Sequence, residues 1–238
     1  MFEGEVVKKI SMYFTFLIPL LLIMLGIRYS NYINMSLSVT LAVFIIIFLS
    51  YFYFEKSSMG TKEIAVIATL SVFAAVSRIP FAAILNVQPT TFLIALSGLV
   101  FGVYEGFLVG STAAFISNIF LGQGPYTPWQ MLAWGIVGAL SGFIGKRGKK
   151  LSVEKFAIIC FLYGFLFDWI MNLWSVLVIL DPISIKGIVT IYFTGITADV
   201  MHAVGNFIFA MIFYESFYKV LTRFKSKLEI TYIKNIEK

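Results

Sequence analysis

Six polar residues interrupt two apolar stretches in the second half of the chain. Asp168, Asn172 and Ser175 are spaced i, i+4, i+7; Asp199, His202 and Asn206 are spaced i, i+3, i+7. On helices, each trio falls on one face. Burying such groups among apolar neighbours is unfavourable, so they are expected to face a cavity, a bound molecule or another helix. Two carboxylates beside the single histidine admit an intramembrane acid–base set, or else hydrogen bonds between helices. His202 as a pH sensor asks more of the residue than a plain hydrogen bond to a neighbouring carboxylate. The acid–base reading lacks a nucleophile and a metal-ligand motif: neither G-x-S-x-G nor H-E-x-x-H occurs. A phosphate loop is also missing, since Gly145-Lys146 has neither the earlier glycine nor the following Ser/Thr, so ATP hydrolysis by that route is excluded. The chain is not expected to be an enzyme, and no metal or cofactor is implied. One cysteine, Cys160, permits no intramolecular disulfide and reads as a small apolar filler in mid-span.

Two further polar segments contain proline: Asn86-Val87-Gln88-Pro89 and Gly122-Gln123-Gly124-Pro125-Tyr126-Thr127-Pro128-Trp129-Gln130. Irregular backbone is not tolerated against lipid, so both must cap a membrane face or line a protein cavity. Their amide and aromatic side chains suit solute recognition. Asn86, Gln88, Gln123, Tyr126, Trp129 and Gln130 are expected to form an outer pocket, with Asn118, Asp168, Asn172 and His202 beneath. Trp129, Trp134, Trp169 and Trp174 serve either as interfacial anchors or as flat pocket walls.

The elements that must hold these groups are membrane helices. Hydrophobic residues make up 60% of the 238, charged residues 13%, and the mean hydropathy is +0.93, far outside the range of soluble domains. About 20 apolar residues cross a bilayer, and the chain offers eight candidates, near 10–27, 37–54, 63–84, 89–102, 104–121, 129–145, 155–180 and 188–217. The first follows a mixed-charge start without a small-residue cleavage site, which reads as a retained span rather than a signal peptide. The predicted organisation is an N-terminal helix pair over residues 1–60, a six-helix core over 61–221 and a basic tail over 222–238.

Basic residues set the orientation. Lys8, Lys9, Lys56, Lys62, Lys146, Arg147, Lys149, Lys150, Lys155 and the Lys/Arg residues from 219 onward share one side, leaving Arg28, Arg78 and Lys186 for the other. The positive-inside rule places both termini in the cytoplasm, and the net charge of +6 is a topology and membrane-surface signal that gives no reason to expect nucleic acid. Loops 85–88, 122–128 and 181–187 then face outward, which concentrates the recognition chemistry on one face.

Small residues recur at helical spacing. Gly98, Gly102, Gly106 and Gly110 lead on to Ala114, and Gly138 and Gly142 repeat the pattern beside Gly135 and Ala139. Such rows let helix backbones approach closely, either inside the bundle or against another membrane protein. The stretch from Lys62 to Arg78 is likewise rich in Ala65, Ala68, Thr69, Ser71, Ala74 and Ala75.

The string NVQP…FG…GFLVG…SN…GQGPYTPWQM-x-AW-G between Asn86 and Gly138 resembles the substrate-binding S component of energy-coupling factor (ECF) vitamin transporters, most closely the cobalamin-type branch. The resemblance covers roughly residues 62 to 220. It implies a six-helix all-α integral membrane protein that captures a vitamin at the outer face. It also implies association with a T component and two ABC-type ATPase subunits, whose ATP hydrolysis topples the S component and releases the solute inside. S components of this kind dock through small residues on the first core helix, which points to Ala65, Ala68, Ser71 and Ala75, although the spacing here departs from a clean Ala-x-x-x-Ala. The additional N-terminal helix pair also departs from the six-helix pattern. The competing class is a stand-alone secondary carrier or channel; inverted-repeat carriers show two matching halves, and the Gly-Gln-Gly-Pro loop has no counterpart in the second half. For the solute, the resemblance and an amide-rich, aromatic pocket imply cobalamin or a precursor.

Overall fold

A computed structural model describes residues 34–55, 60–146 and 148–236, together with Leu21, Met24, Leu25 and Arg28; side chains are described to 52 and from 60 to 228. Span 10–27 lies, apart from three residues, outside them. Regular structure among the described residues is entirely helical: α1 (Met35–Glu55), α2 (Thr61–Arg78) followed by a 3-10 turn (Ile79–Phe81), α3 (Thr90–Phe101), α4 (Val103–Leu121), α5 (Thr127–Gly145), α6 (Val153–Ile179) and α7 (Ile185–Ile236).

Local chemistry explains most boundaries. α2 opens where the Gly60 amide donates to Glu63 Oε2 at 3.1 Å, and α6 where Ser152 Oγ accepts from the Lys155 amide. Span 63–84 was expected to run longer than α2 does. Pro80 has no N–H to continue the ladder, so although Ile79 stays helical the helix tightens into the 3-10 turn and ends. At the other extreme, α7 runs unbroken for 52 residues, carrying helix through the stretch expected to be a basic tail.

Apolar side chains are distributed on both sides of the protein surface. Phe92, Ile94, Leu96, Leu108, Trp134, Phe156 and Tyr214 form a closed core, while Phe48, Phe120, Trp169 and Phe193 are 52–75% exposed. An outer belt of large apolar groups is what a lipid solvent requires. Five of the described helices are long and apolar enough to cross a membrane. The chain is an all-α integral membrane protein.

At the centre, α3 is 12 residues long and buried at every position from Thr90 to Val100. Glycines make this possible. A Cβ on Gly138 would lie 2.0 Å from the Gly106 carbonyl oxygen, and one on Gly98 would lie 2.0 Å from that of Gly138. The glycine row is therefore internal packing: α3, α4 and α5 meet backbone to backbone. Gly102, at φ +134°, makes the turn that folds α4 back on α3, a conformation other residues rarely adopt. Lys225 of α7 donates to the Val100 carbonyl at 2.9 Å, placing a cation at the C-terminus of α3 where the helix dipole favours it.

α1 lies on the flank of the core against α5, α4 and α6. Val43 and Ile47 pack on Trp129, the Tyr51 hydroxyl bonds Thr112 Oγ1 at 2.7 Å, and Tyr104 donates to the Ser50 carbonyl at 2.8 Å.

Candidate functional site

Alternating helix directions bring the connections 82–89, 122–126 and 180–184 to one end of the bundle. The polar side chains gather beneath them in two joined networks. The first is centred on Arg78, the last residue of α2. Its Nε donates to Gln88 Oε1 at 2.7 Å, and its Nη1 donates to Ser117 Oγ at 3.0 Å and Asn118 Oδ1 at 3.1 Å. Asn118 Nδ2 donates onward to Thr127 Oγ1 at 3.1 Å and Gln130 Oε1 at 2.6 Å. Thr127, in the first turn of α5, donates to Gln123 Oε1 and accepts from the Gly124 amide, which ties the 122–126 connection to the same cluster.

The second network crosses four helices. Trp134 Nε1 donates to Thr91 Oγ1 at 2.9 Å. Thr91 Oγ1 lies 2.9 Å from His202 Nε2, and His202 Nδ1 lies 2.8 Å from Asp168 Oδ2. A proton on Nδ1 satisfies every member in sequence: indole to hydroxyl, hydroxyl to Nε2, Nδ1 to carboxylate. Asp168 Oδ1 accepts from Asn86 Nδ2 at 3.0 Å, which also reaches the Ala198 carbonyl. Asn86 is held at φ +51°, in the left-handed region that asparagine tolerates better than most residues, and this bend places its amide between α6 and α7. Gly164 allows the approach, since a Cβ there would meet Ala203 Cα at 2.6 Å, one turn from Asp168 and beside His202. Rings join the two networks. The Arg78 guanidinium lies 5.2 Å from the Trp134 ring centre, Trp134 stacks on Phe167 at 4.3 Å, and Phe167 meets His202 edge-on at 5.3 Å.

The two polar stripes of α6 and α7 thus face each other, with Asn172 donating to Asp199 Oδ2 at 3.2 Å as a further bridge. Asn206 is fully buried, and both its side-chain polar atoms lack a partner among the described residues. Gln88, Asn118 and Gln130 lie around Arg78, and Asn86, Asp168 and His202 lie in the second network. Gln123 also donates to the Phe115 carbonyl. Tyr126 bonds the Gly122 carbonyl and meets Trp174 edge-on at 5.9 Å. Trp129 sits apart from both networks, buried against α1, and its indole N–H has no partner among the described residues. On α2, Ala65 and Ala68 face outward, whereas Ser71 and Ala75 are buried in the core.

Sequence reasoning left Arg78, Thr91, Ser117, Thr127 and Trp134 outside the set. Thr91 had a signal, being the last residue of the NVQPTT string at the mouth of an apolar helix. Arg78 had a stronger one, as a cation at the outer end of a span. Trp134 gave none that separates a wall from an anchor.

Neither a curated protein nor a solved structure matches the chain. The family described as ECF-type riboflavin transporter, S component, matches residues 57–221, from just before α2 into the part of α7 beyond the core. That match covers well over half of the chain and all of the helices that build the two networks, and α1 lies outside it. The chain belongs to the ECF-type riboflavin transporter S-component family.

Proposed function

We propose that this protein captures a vitamin beneath the 82–89, 122–126 and 180–184 connections, and delivers it inward when docked to a T component and two ABC ATPase subunits. The convergence of Arg78, Gln88, Asn118, Gln130, Asn86, Asp168 and His202 at one end of the bundle carries this reading. Most of the basic residues lie at the opposite end, with Arg78 and Lys186 the exceptions among the described core residues, so the positive-inside rule points this end outward with both termini in the cytoplasm. The sequence carries no phosphate loop, which fits a component energised by partner ATPases. The outward row of Ala65 and Ala68 on α2 is the surface we assign to T-component docking; Ser71 and Ala75 back it from inside.

The solute we favour is a flavin. The resemblance of the loop string and an amide-rich, aromatic pocket suggest a corrinoid; the family's name points instead to a flavin. Titrating the purified protein with riboflavin and with cyanocobalamin tests the choice: riboflavin is expected to bind, its fluorescence being quenched by the protein's aromatic side chains. Binding of cyanocobalamin alone would return the assignment to corrinoids, and binding of neither would remove vitamin capture.

A further inference from the structure

We infer that Arg78 is the specificity-determining contact for the captured solute, and that it takes an acceptor oxygen edge of that molecule. This rests on the capture function proposed above. A guanidinium carries five N–H donors. Three are used, by Gln88 Oε1, Ser117 Oγ and Asn118 Oδ1; among the described residues, none accepts from Nη2. All three partners are neutral, and no carboxylate pairs with Arg78 among the described residues. The acids within the helices at this end of the bundle are engaged elsewhere, Asp168 by Asn86 and His202 and Asp199 by Asn172; Asp181 lies exposed in the 180–184 connection.

A half-buried cation in a membrane protein without a counter-charge is unfavourable and marks a functional position. The surrounding groups hold it for a purpose other than neutralising it. Ser117 donates to the Ala114 carbonyl and Asn118 donates to Thr127 and Gln130, so each turns its oxygen toward the guanidinium. Trp134 covers one face of the fork, where a cation and an aromatic ring attract. The fork is therefore fixed in plane and direction, with one edge still to be met. One cation with two remaining donors fits a carbonyl edge or a single anionic oxygen, such as the imide of a flavin, the phosphate of its ester or an amide of a corrinoid. It does not fit a polyanion.

Purified wild type, Arg78→Gln, Arg78→Lys and Ser117→Ala would be titrated with riboflavin, phosphorylated riboflavin and cyanocobalamin, and their ligand-free Tm measured. A probe that binds wild type is expected to lose at least tenfold in affinity with Arg78→Gln, with Arg78→Lys intermediate because it keeps charge without the fork. The ligand-free Tm of Arg78→Gln should fall no further than that of Ser117→Ala, which removes one bond of the same network. A larger loss for the ester than for riboflavin identifies the phosphate as the oxygen read; equal losses identify the carbonyl edge. A probe that binds wild type and Arg78→Gln alike overturns the role of Arg78 and leaves capture intact. If Arg78→Gln fails to fold while Arg78→Lys binds like wild type, Arg78 is a strut and the inference is likewise overturned. If no probe binds wild type, the capture reading falls and takes this one with it.

Discussion

His202 shows how much one side chain can hold in this protein. It is fully buried, and both ring nitrogens are used, one toward Thr91 on α3 and one toward Asp168 on α6. Replacing it by alanine strands the Asp168 carboxylate and the Thr91 hydroxyl in apolar surroundings. Interhelical hydrogen bonds in membrane proteins contribute roughly 0.6 kcal/mol each, with a maximum of about 1.7, so two lost bonds and a cavity should lower stability by about 2 kcal/mol. Thermal unfolding in detergent should show His202→Ala melting several degrees below wild type, with His202→Gln between them; identical melting curves would mean the network carries no stability. Asn86→Gly tests the connection from the other side. Glycine accepts the +51° φ without strain, so any loss of solute affinity reports the missing amide, as a solute contact or as the bridge to Asp168 and Ala198, rather than the backbone bend.

Among the elements, the α3–α4–α5 core depends on the absence of side chains. Even a methyl group on Gly106 or Gly138 would meet backbone atoms at 2.0–2.4 Å, and backbone cannot step aside as a flexible side chain can. Overpacking of this kind typically costs about 1–3 kcal/mol, and more where the obstacle is main chain. Gly138→Ala should give a sharply lower yield of monodisperse protein on size exclusion, whereas Gly148→Ala, with open space around it and only the cost of a side chain at φ +66°, about 1–2 kcal/mol, should be milder; similar yields for the two would contradict the packing described. α1 is a different kind of element. It lies outside the family match, and its contacts with Trp129, Thr112 and Tyr104 are on the flank. Removing residues 1–56 should expose Trp129 and red-shift its emission while leaving solute affinity within about threefold; loss of binding on truncation would make α1 part of the site.

At the scale of the whole molecule, α1 covers the α4–α5–α6 flank and leaves the outer face of α2 uncovered, with Ala65 and Ala68 exposed among Ile64, Val72 and Val76. Small residues allow the close backbone approach that membrane helices use to associate. Ala68→Trp should abolish co-purification with a T component and its ATPases while preserving solute binding. The same change at Ala75, which is fully buried, should instead disrupt the fold, so the two variants separate docking from packing. Normal co-purification of Ala68→Trp would send the search for the partner surface elsewhere. Uptake in cells should require ATPase subunits with an intact phosphate loop, and transport by this chain alone would favour a stand-alone carrier.

The membrane class and the core helices were legible from composition and hydropathy, because a bilayer imposes length and polarity on each segment independently of its neighbours; the string between Asn86 and Gly138 gave the S-component family but pointed to the cobalamin-type branch, whereas the family that matches is the riboflavin type. The i, i+4 spacing of Asp168 and Asn172 likewise put both on one helical face before any contact was known. Other features depended on which helix stands beside which. Ser71 and Ala75 looked like Ala65 and Ala68 in sequence, yet packing against α3 and α4 buried the first pair and left the second outside. Trp129 and Trp134, five residues apart, were equivalent as aromatic candidates until α1 covered one and Arg78 stacked on the other. Arg78 itself drew its significance from groups 10 to 40 positions away in the chain, whose oxygens converge on it only after α4 folds back along α3. Local sequence specifies which segments can be helices and which faces are polar; the pairing of those faces is a property of the assembled bundle, and that pairing made a site from residues that were separate candidates.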